Sequence, residues 1–261
     1  MKAAIGPVFR QQGRAHLDFL QPRSTPPTGE IRSTIWPRYT LTMDVSTLEA
    51  LKDEYPTSSW ALWSSDFPSE GCIEESPGRL YEFIKRNQDR LRPSIVLLSL
   101  NPSTQLPSDY QNFHSTEPKH RNDQFRDLVE DANLEGAYMT DLVERIVDAN
   151  SGNVDPTPDD VEHFFEQLDL LDQETYHILC FHEKVFQTLM NYYDSREREL
   201  NHDIRAFRAV QDGVRLECYR VWFHANWGAN RDKIPALRNQ LTFLSSEIIG
   251  DELADLSRWV E

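Results

Sequence analysis

The sequence is poor in cysteine and glycine and has too few bases for its acids. Three cysteines, Cys72, Cys180 and Cys218, occur in 261 residues, with no CxxC pair. An odd count without metal-ligand spacing argues against a disulfide framework and a zinc ribbon. Cys180 and Cys218 sit in apolar runs and read as buried free thiols of a reducing compartment. The ten glycines form neither GxGxxG nor GxxxxGK[ST], so dinucleotide and P-loop sites are unsupported. No serine stands in a nucleophile elbow. His114, His120 and His182 do not fall at metal-ligand spacing, so no metal and no cofactor are expected. No apolar stretch approaches the length of a transmembrane span. The first residues lack the charged-then-apolar pattern of an export signal. The expectation is a cytoplasmic protein without membrane contact.

Lys and Arg number 27 against 43 Asp and Glu, a net charge of −16, which argues against a protein that coats DNA. The charge is unevenly placed. Residues 1–40 carry six bases and two acids, whereas residues 141–203 carry sixteen acids and four bases. That acidic segment is a candidate face for a protein partner. Two windows run the other way: residues 79–126 hold eight bases and five acids, and residues 215–238 hold five and two.

What remains is an ordinary globular composition, 39% hydrophobic and 11% aromatic, enough to bury a sizeable core. Residues 1–42 read as a basic, poorly ordered N-terminal arm, since "LQPRSTPPTGE" has three prolines and no period. Met43 precedes "DVSTLEALKDEY", a helical pattern, and is an alternative start of translation. Residues 43–261 read as a single α/β domain. Helical spacing is predicted over 46–55, 78–90, 121–133, 156–172, 183–193 and 233–249. A short strand or buried edge is predicted at 60–63, and strands at 94–100, 137–140, 176–181 and 216–224. Such alternation implies a parallel sheet covered on both faces. The last four strands end in polar residues, Asn101, Asp141, His182 and His224, and open α/β sheets bind ligands beyond those ends.

Each polar end has two readings. In "VLLSLNPST", Pro102 makes Asn101 extended and ends the strand. Asn101 then offers a donor and an acceptor to a water or a carbonyl. Asn-Pro is equally an ordinary turn start. His224 opens "HANWGANR", a loop rich in small residues. It could donate a hydrogen bond to charge developing on a leaving group, or pack as a capped-loop residue. Asn226, Trp227 and Arg231 in the same loop suit phosphate contact or base stacking. Phe113-His114 lies in residues 102–121, about twenty residues without regular structure, a length that is usually functional or disordered. Phe113 could stack on a planar ligand or tuck against the sheet. Asp141 could accept from a base edge or cap a helix. His182-Glu183 reads as a helix N-cap region.

The order of these strings, "LNPS", "FRDLV", "AYMTDLVER", "YHILCFHEKVF" and "FHANWGANR", resembles the uracil-DNA glycosylase superfamily over roughly residues 90–245. It is also similar to a group of bacterial proteins carrying a like "LNPST". The resemblance implies a three-layer α/β/α fold with a four-stranded parallel sheet and a base flipped into a pocket. It implies that Asn101 places the hydrolytic water and that His224 stabilises the departing base anion. Phe113 would stack under the base, with Ser103 and His114 beside it. Asp141 would read the base edge, and Asn226, Trp227 and Arg231 would meet DNA. The last motif reads His-Ala-Asn where the family often has His-Pro-Ser, and Asp141 stands where it usually has Asn. An ionised Asp141 would present only acceptors, which suits a different base or ligand. No iron–sulfur cysteines are present.

The sequence therefore predicts a hydrolase that cleaves the N-glycosidic bond of a modified or deaminated base in DNA. Two alternatives stand beside it. One is a non-catalytic module binding a nucleotide, a nucleic acid or a protein on the same fold. The other is an enzyme acting on a free nucleoside or nucleotide.

Overall fold

A computed structural model describes residues 43–64, 79–105, 112–225 and 232–257. The basic arm expected over 1–42 lies outside the described residues.

The run Ile95–Leu100 is apolar on every residue but one, and it forms the interior of the sheet. It belongs to β2 (Arg92–Ser99), which pairs in parallel with β3 (Ala137–Asp141) on one side and β4 (Thr175–Cys180) on the other. β4 pairs in parallel with β7 (Val214–Arg220). Antiparallel strands complete both edges: β1 (Ser59–Trp60) on β3, β6 (Arg205–Gln211) on β7, and β5 (Arg198–Glu199) on β6. The α/β class is as expected. The four-stranded parallel sheet is not: among the described residues the sheet has seven strands, is mixed, and runs β1-β3-β2-β4-β7-β6-β5.

The extra edge comes from a hairpin. Asp212 and Gly213, with φ of 51° and 91°, join β6 to β7. Both central residues carry positive φ, the geometry of the primed turns that match strand twist. β7 therefore begins and ends earlier than the 216–224 expected. It stops at Arg220, and His224 lies four residues beyond it.

Strand side chains alternate between two cores. Val96, Leu98, Tyr138, Ile178 and Cys180 face α1 (Val45–Glu54), α2 (Arg79–Arg86), α4 (Pro158–Leu171) and α5 (Glu183–Tyr192). Leu97, Met139, Leu179 and Tyr219 face α3 (Asn122–Asp131) and α6 (Ile234–Ser257). The helices start where their caps say. Thr157 and Asp160 form a capping box with Pro158 at the first turn of α4. His182 caps α5, its Nδ1 accepting from the Lys184 amide at 3.1 Å. Continuing the parity, Ser99, Asp141 and Phe181 all reach the C-terminal edge of the sheet on the α3/α6 face.

Gly136 ties three segments together. Its amide donates to the Ala61 carbonyl at 2.8 Å and its carbonyl accepts from Arg92 at 2.7 Å. It has φ of +81°, and a Cβ there would overlap the Arg90 carbonyl oxygen. Gly213 has a similar φ of +91° with open space around it. Gly136→Ala should therefore lower stability by about 3 kcal/mol or more, against about 1 kcal/mol for Gly213→Ala. Urea unfolding of the two variants checks this; equal losses would mean that the backbone angle, not the Arg90 contact, sets the cost at Gly136.

Candidate functional site

The strand ends step along one edge. The amide of Phe181 donates to the Leu98 carbonyl at 2.9 Å, and that of Val221 to Cys180 at 3.1 Å. Beyond β3, Leu142 donates to Ser99 at 3.0 Å and Val143 to Leu100 at 2.9 Å. The residues that follow each strand are thereby drawn over the end of its neighbour.

Asp141 is buried at 2% exposure. Its Oδ2 accepts from Asn112 Nδ2 at 2.8 Å, and the hydroxyl of Ser99, its partner in the parallel ladder, donates to it as well. Burial pushes the carboxyl up to about 7, with the Glu144 charge acting the same way and the two donors opposing. Asp141 does not cap a helix; the next α-helix starts at Pro158.

His224 is equally enclosed, at 2% exposure. Its ring lies 4.4 Å from that of Phe125, 4.5 Å from Phe223 and 5.6 Å from Phe113, centroid to centroid. Nε2 is 3.3 Å from the His120 carbonyl oxygen, which assigns the ring proton to Nε2. Nδ1 is buried without a hydrogen-bond partner among the described residues. Burial pushes the imidazole down to about 3, so His224 is neutral at neutral pH.

Three consecutive residues link these groups. Asn112 binds Asp141, and Phe113 lies against His224 and, at 4.9 Å, against Phe125. His114 Nε2 meets the Trp60 carbonyl at 3.1 Å, with its ring 5.3 Å from Trp63. Phe113 has φ of 62°, an unfavourable backbone for a bulky residue. Local strain of this kind persists only where the surroundings over-determine it. Here the anchors on either side of Phe113 do so.

The other expected residues fall elsewhere. Asn101 is half-buried, and its Nδ2 donates to the carbonyls of Pro102 at 2.9 Å, Asp148 at 2.8 Å and Ile146 at 3.3 Å. It clamps the segment after β3 to the end of β2, and only Oδ1 is left for a water. Ser103 is exposed. His114 is fully buried and supports β1. Asn226, Trp227 and Arg231 lie outside the described residues. His182 serves as a helix cap. Among the described residues no cluster of His, Cys, Asp and Glu is arranged to hold a metal ion. No helix among them is long and apolar enough to cross a membrane. Cys180 and Cys218 are buried free thiols.

A cavity of about 560 Å³ adjoins the site, lined by Ser115, Pro118, Arg121, Asn122 and Arg126 among others. Its lining mixes Arg121 and Arg126 with Glu117 and Asp123, and Arg126 is paired with Asp127 at 2.7 Å. The acidic segment 141–203 is partly consumed by internal pairs. Arg145 binds Asp160 through two bonds of 2.8 and 2.9 Å. Glu183, held down to about 2 by its hydrogen bond from Arg205, also accepts from Arg220 at 3.1 Å.

Sequence reasoning passed over Asn112 and Ser99. Ser99 was findable, because parallel pairing sets it beside Asp141. Nothing local distinguishes Asn112 within its loop. No protein-family model matches the chain, and no curated protein matches it either.

Two outcomes are expected. Unfolded, the Asp141 carboxyl ionises near pH ~4; folded, it keeps its proton up to about 7. The folded state thus binds the extra proton between those values, and wild-type stability falls as pH rises through that window. Asp141→Asn lacks this loss, so variant minus wild-type Tm should climb by several °C from pH 4 to 8. A flat difference in thermal scans would show an ordinary, ionised carboxylate. Asn101→Ala should cost about 2 kcal/mol by freeing three carbonyls, and Asn101→Asp should cost more because a carboxylate would face them. Denaturant melts of both variants decide it, an unchanged midpoint ruling out the clamp.

Proposed function

We propose that the chain is a hydrolase of the uracil-DNA glycosylase type, cleaving the N-glycosidic bond of a modified or deaminated base in DNA. The observation that carries this reading is the continuity of the rim. The aromatic expected to stack lies against the His expected to stabilise the leaving base, and its neighbour Asn112 binds the residue expected to read the base edge. The order β3-β2-β4-β7 of the parallel strands suits the three-layer arrangement the resemblance implies.

In this reading the bond from the sugar C1′ to the base nitrogen breaks and the base leaves with the electron pair. Water adds its oxygen to C1′, and one of its protons ends on the base. His224 is fit to stabilise an anion as a neutral donor, since burial keeps it uncharged. Its Nε2 proton now points to the His120 carbonyl, so the donor role requires the 112–121 segment to yield that bond. Asn101 keeps Oδ1 to orient water and supplies no proton-accepting carboxylate, which makes slow chemistry the expectation. Arg121 and Arg126 beside the cavity, together with Asn226, Trp227 and Arg231, would meet the phosphates and bases of the strand.

A second reading has its own support. The amide of Asn101 is spent on three carbonyls and the net charge is −16, which fits a module binding a nucleotide, nucleic acid or protein, or an enzyme for free nucleosides.

Single- and double-stranded oligonucleotides carrying uracil or hypoxanthine, treated with alkali after incubation, separate these readings. The glycosylase reading expects alkali-labile sites, reduced about 10²- to 10³-fold by His224→Ala. No cleavage by protein shown to be folded, with binding retained, would leave the binding module. Binding that barely changes from 50 to 200 mM salt, roughly the range over which phosphate contacts lose orders of magnitude, would favour a free nucleoside.

A further inference from the structure

One stretch of chain supplies partners to both titratable groups of the rim. Asn112 donates to Asp141 Oδ2 at 2.8 Å, and the carbonyl of His120 accepts from His224 Nε2 at 3.3 Å. Between them in sequence, Phe113 lies 5.6 Å from the His224 ring. Two ties hold the stretch together. His114 is fully buried on the Trp60 carbonyl. Ser115 closes a turn, its hydroxyl 2.9 Å from His120 Nδ1 and accepting from the Glu117 amide at 3.2 Å. Two left-handed residues bracket the stretch, Phe113 at φ 62° and Arg121 at φ 53°. Neither is Gly, Asn or Asp, so both backbones sit in a minor conformation that an ordinary φ would relieve. Hinges are a few loop or element-terminal positions that absorb such a φ/ψ change. The turn also has room to shift, because residues 115–118 line the cavity of about 560 Å³.

We propose that residues 112–120 are an autoinhibitory strap. The segment occupies Asp141 and His224 itself, and a ligand reaches them only when Asn112 and Phe113 lift and the turn 115–120 shifts, with His114 as the fixed point. The inference rests on the reading of this rim as the binding site and not on any bond being cleaved. Opening gives up two hydrogen bonds, and a ligand that pairs with the same two side chains returns them. The apparent affinity of the closed chain is lowered by the fraction of molecules that are open. Loosening the strap therefore raises access and affinity by one common factor, since both scale with that fraction.

Two substitutions loosen it without altering Asp141 or His224. Asn112→Ala removes the bond to Asp141, and Ser115→Ala removes the two contacts that close the turn. Access is read on the full chain without any ligand, from modification of histidines by diethyl pyrocarbonate at low conversion, located by mass spectrometry. His177, 5% exposed within β4, reports global unfolding, and exposed His202 reports the reagent. Wild-type His224 should react slowly. In each variant it should react about tenfold faster, the scale of one lost hydrogen bond, while His177 stays slow. Affinity is read by fluorescence anisotropy of a single-stranded oligonucleotide carrying one 2′-fluoro-2′-deoxyuridine, which resists base loss. Its Kd should fall by the same factor as the His224 rate rises. An unchanged His224 rate in both variants would overturn the strap. So would parallel rises at His177 and His224, which trace access to global unfolding, and so would faster modification with unchanged or weaker binding. Faster modification with no binding by wild type or variants would keep the strap as a cover and remove the glycosylase reading. Base release from a uracil oligonucleotide by wild-type protein whose His224 already reacts as fast as His202 would do the reverse.

Discussion

Everything at the site depends on β2 being buried on both faces and paired on both sides. A strand in that position has no solvent-facing side, so its residues from Ile95 to Leu98 are all apolar and fully buried. Helices must then cover both faces, and they do, from two separate cores. The strand can leave the sheet only at its ends. Pro102 cannot donate to a ladder and holds Asn101 extended, so the chain departs there. The same departure fixes the height of the rim, because β3 and β4 run in register with β2 and end beside it.

Burying polar groups at such an edge is costly unless each finds a partner. Most do. Asn101 satisfies three carbonyls, Asn112 and Ser99 satisfy Asp141, and His114 reaches Trp60. His224 keeps a buried, unpartnered Nδ1 in a cage of phenylalanines. Phe113, against that ring, holds a positive φ. Both features stand together at this end of the sheet, next to His120, whose buried Nε2 also lacks a partner among the described residues.

Much of the frame was legible beforehand. The apolar run of β2 and the helical spacing of α4 and α5 are local signals, and these elements lie within a residue or two of their expected places. The edge strands were not read, although Asp212-Gly213 is the strongest short-range hairpin signal a sequence offers. The strand expected over 216–224 began beyond that turn and ran on to His224, past the true end at Arg220. Among the site residues, Asp141, Phe113 and His224 are brought into one rim. Asn101 reaches the edge but turns its amide to the backbone, where the carbonyls of Pro102, Ile146 and Asp148 surround it. No pattern of period two or 3.6 encodes which polar side chain a long loop will bury, and Asn112 was hidden for that reason.

The two titratable groups of the rim share a property that their sequence letters conceal. An aspartate and a histidine suggest an ion pair or a proton relay, yet burial drives the carboxyl up and the imidazole down. Both shifts move toward the uncharged form, so at neutral pH His224 is neutral and Asp141 is only partly ionised. Neither group carries a full charge at neutral pH, and the fixed charges that act on them, Glu144 and Arg121, are of opposite sign. What the rim presents is a set of donors and acceptors beside the ring of Phe113, with Phe125 fully buried behind. In the proposed reading such a rim takes a flat, uncharged, hydrogen-bonding ligand despite the strongly acidic remainder of the chain. Charge at a distance governs the approach of a strand or a nucleotide; a neutral planar group, once inside, feels little of it.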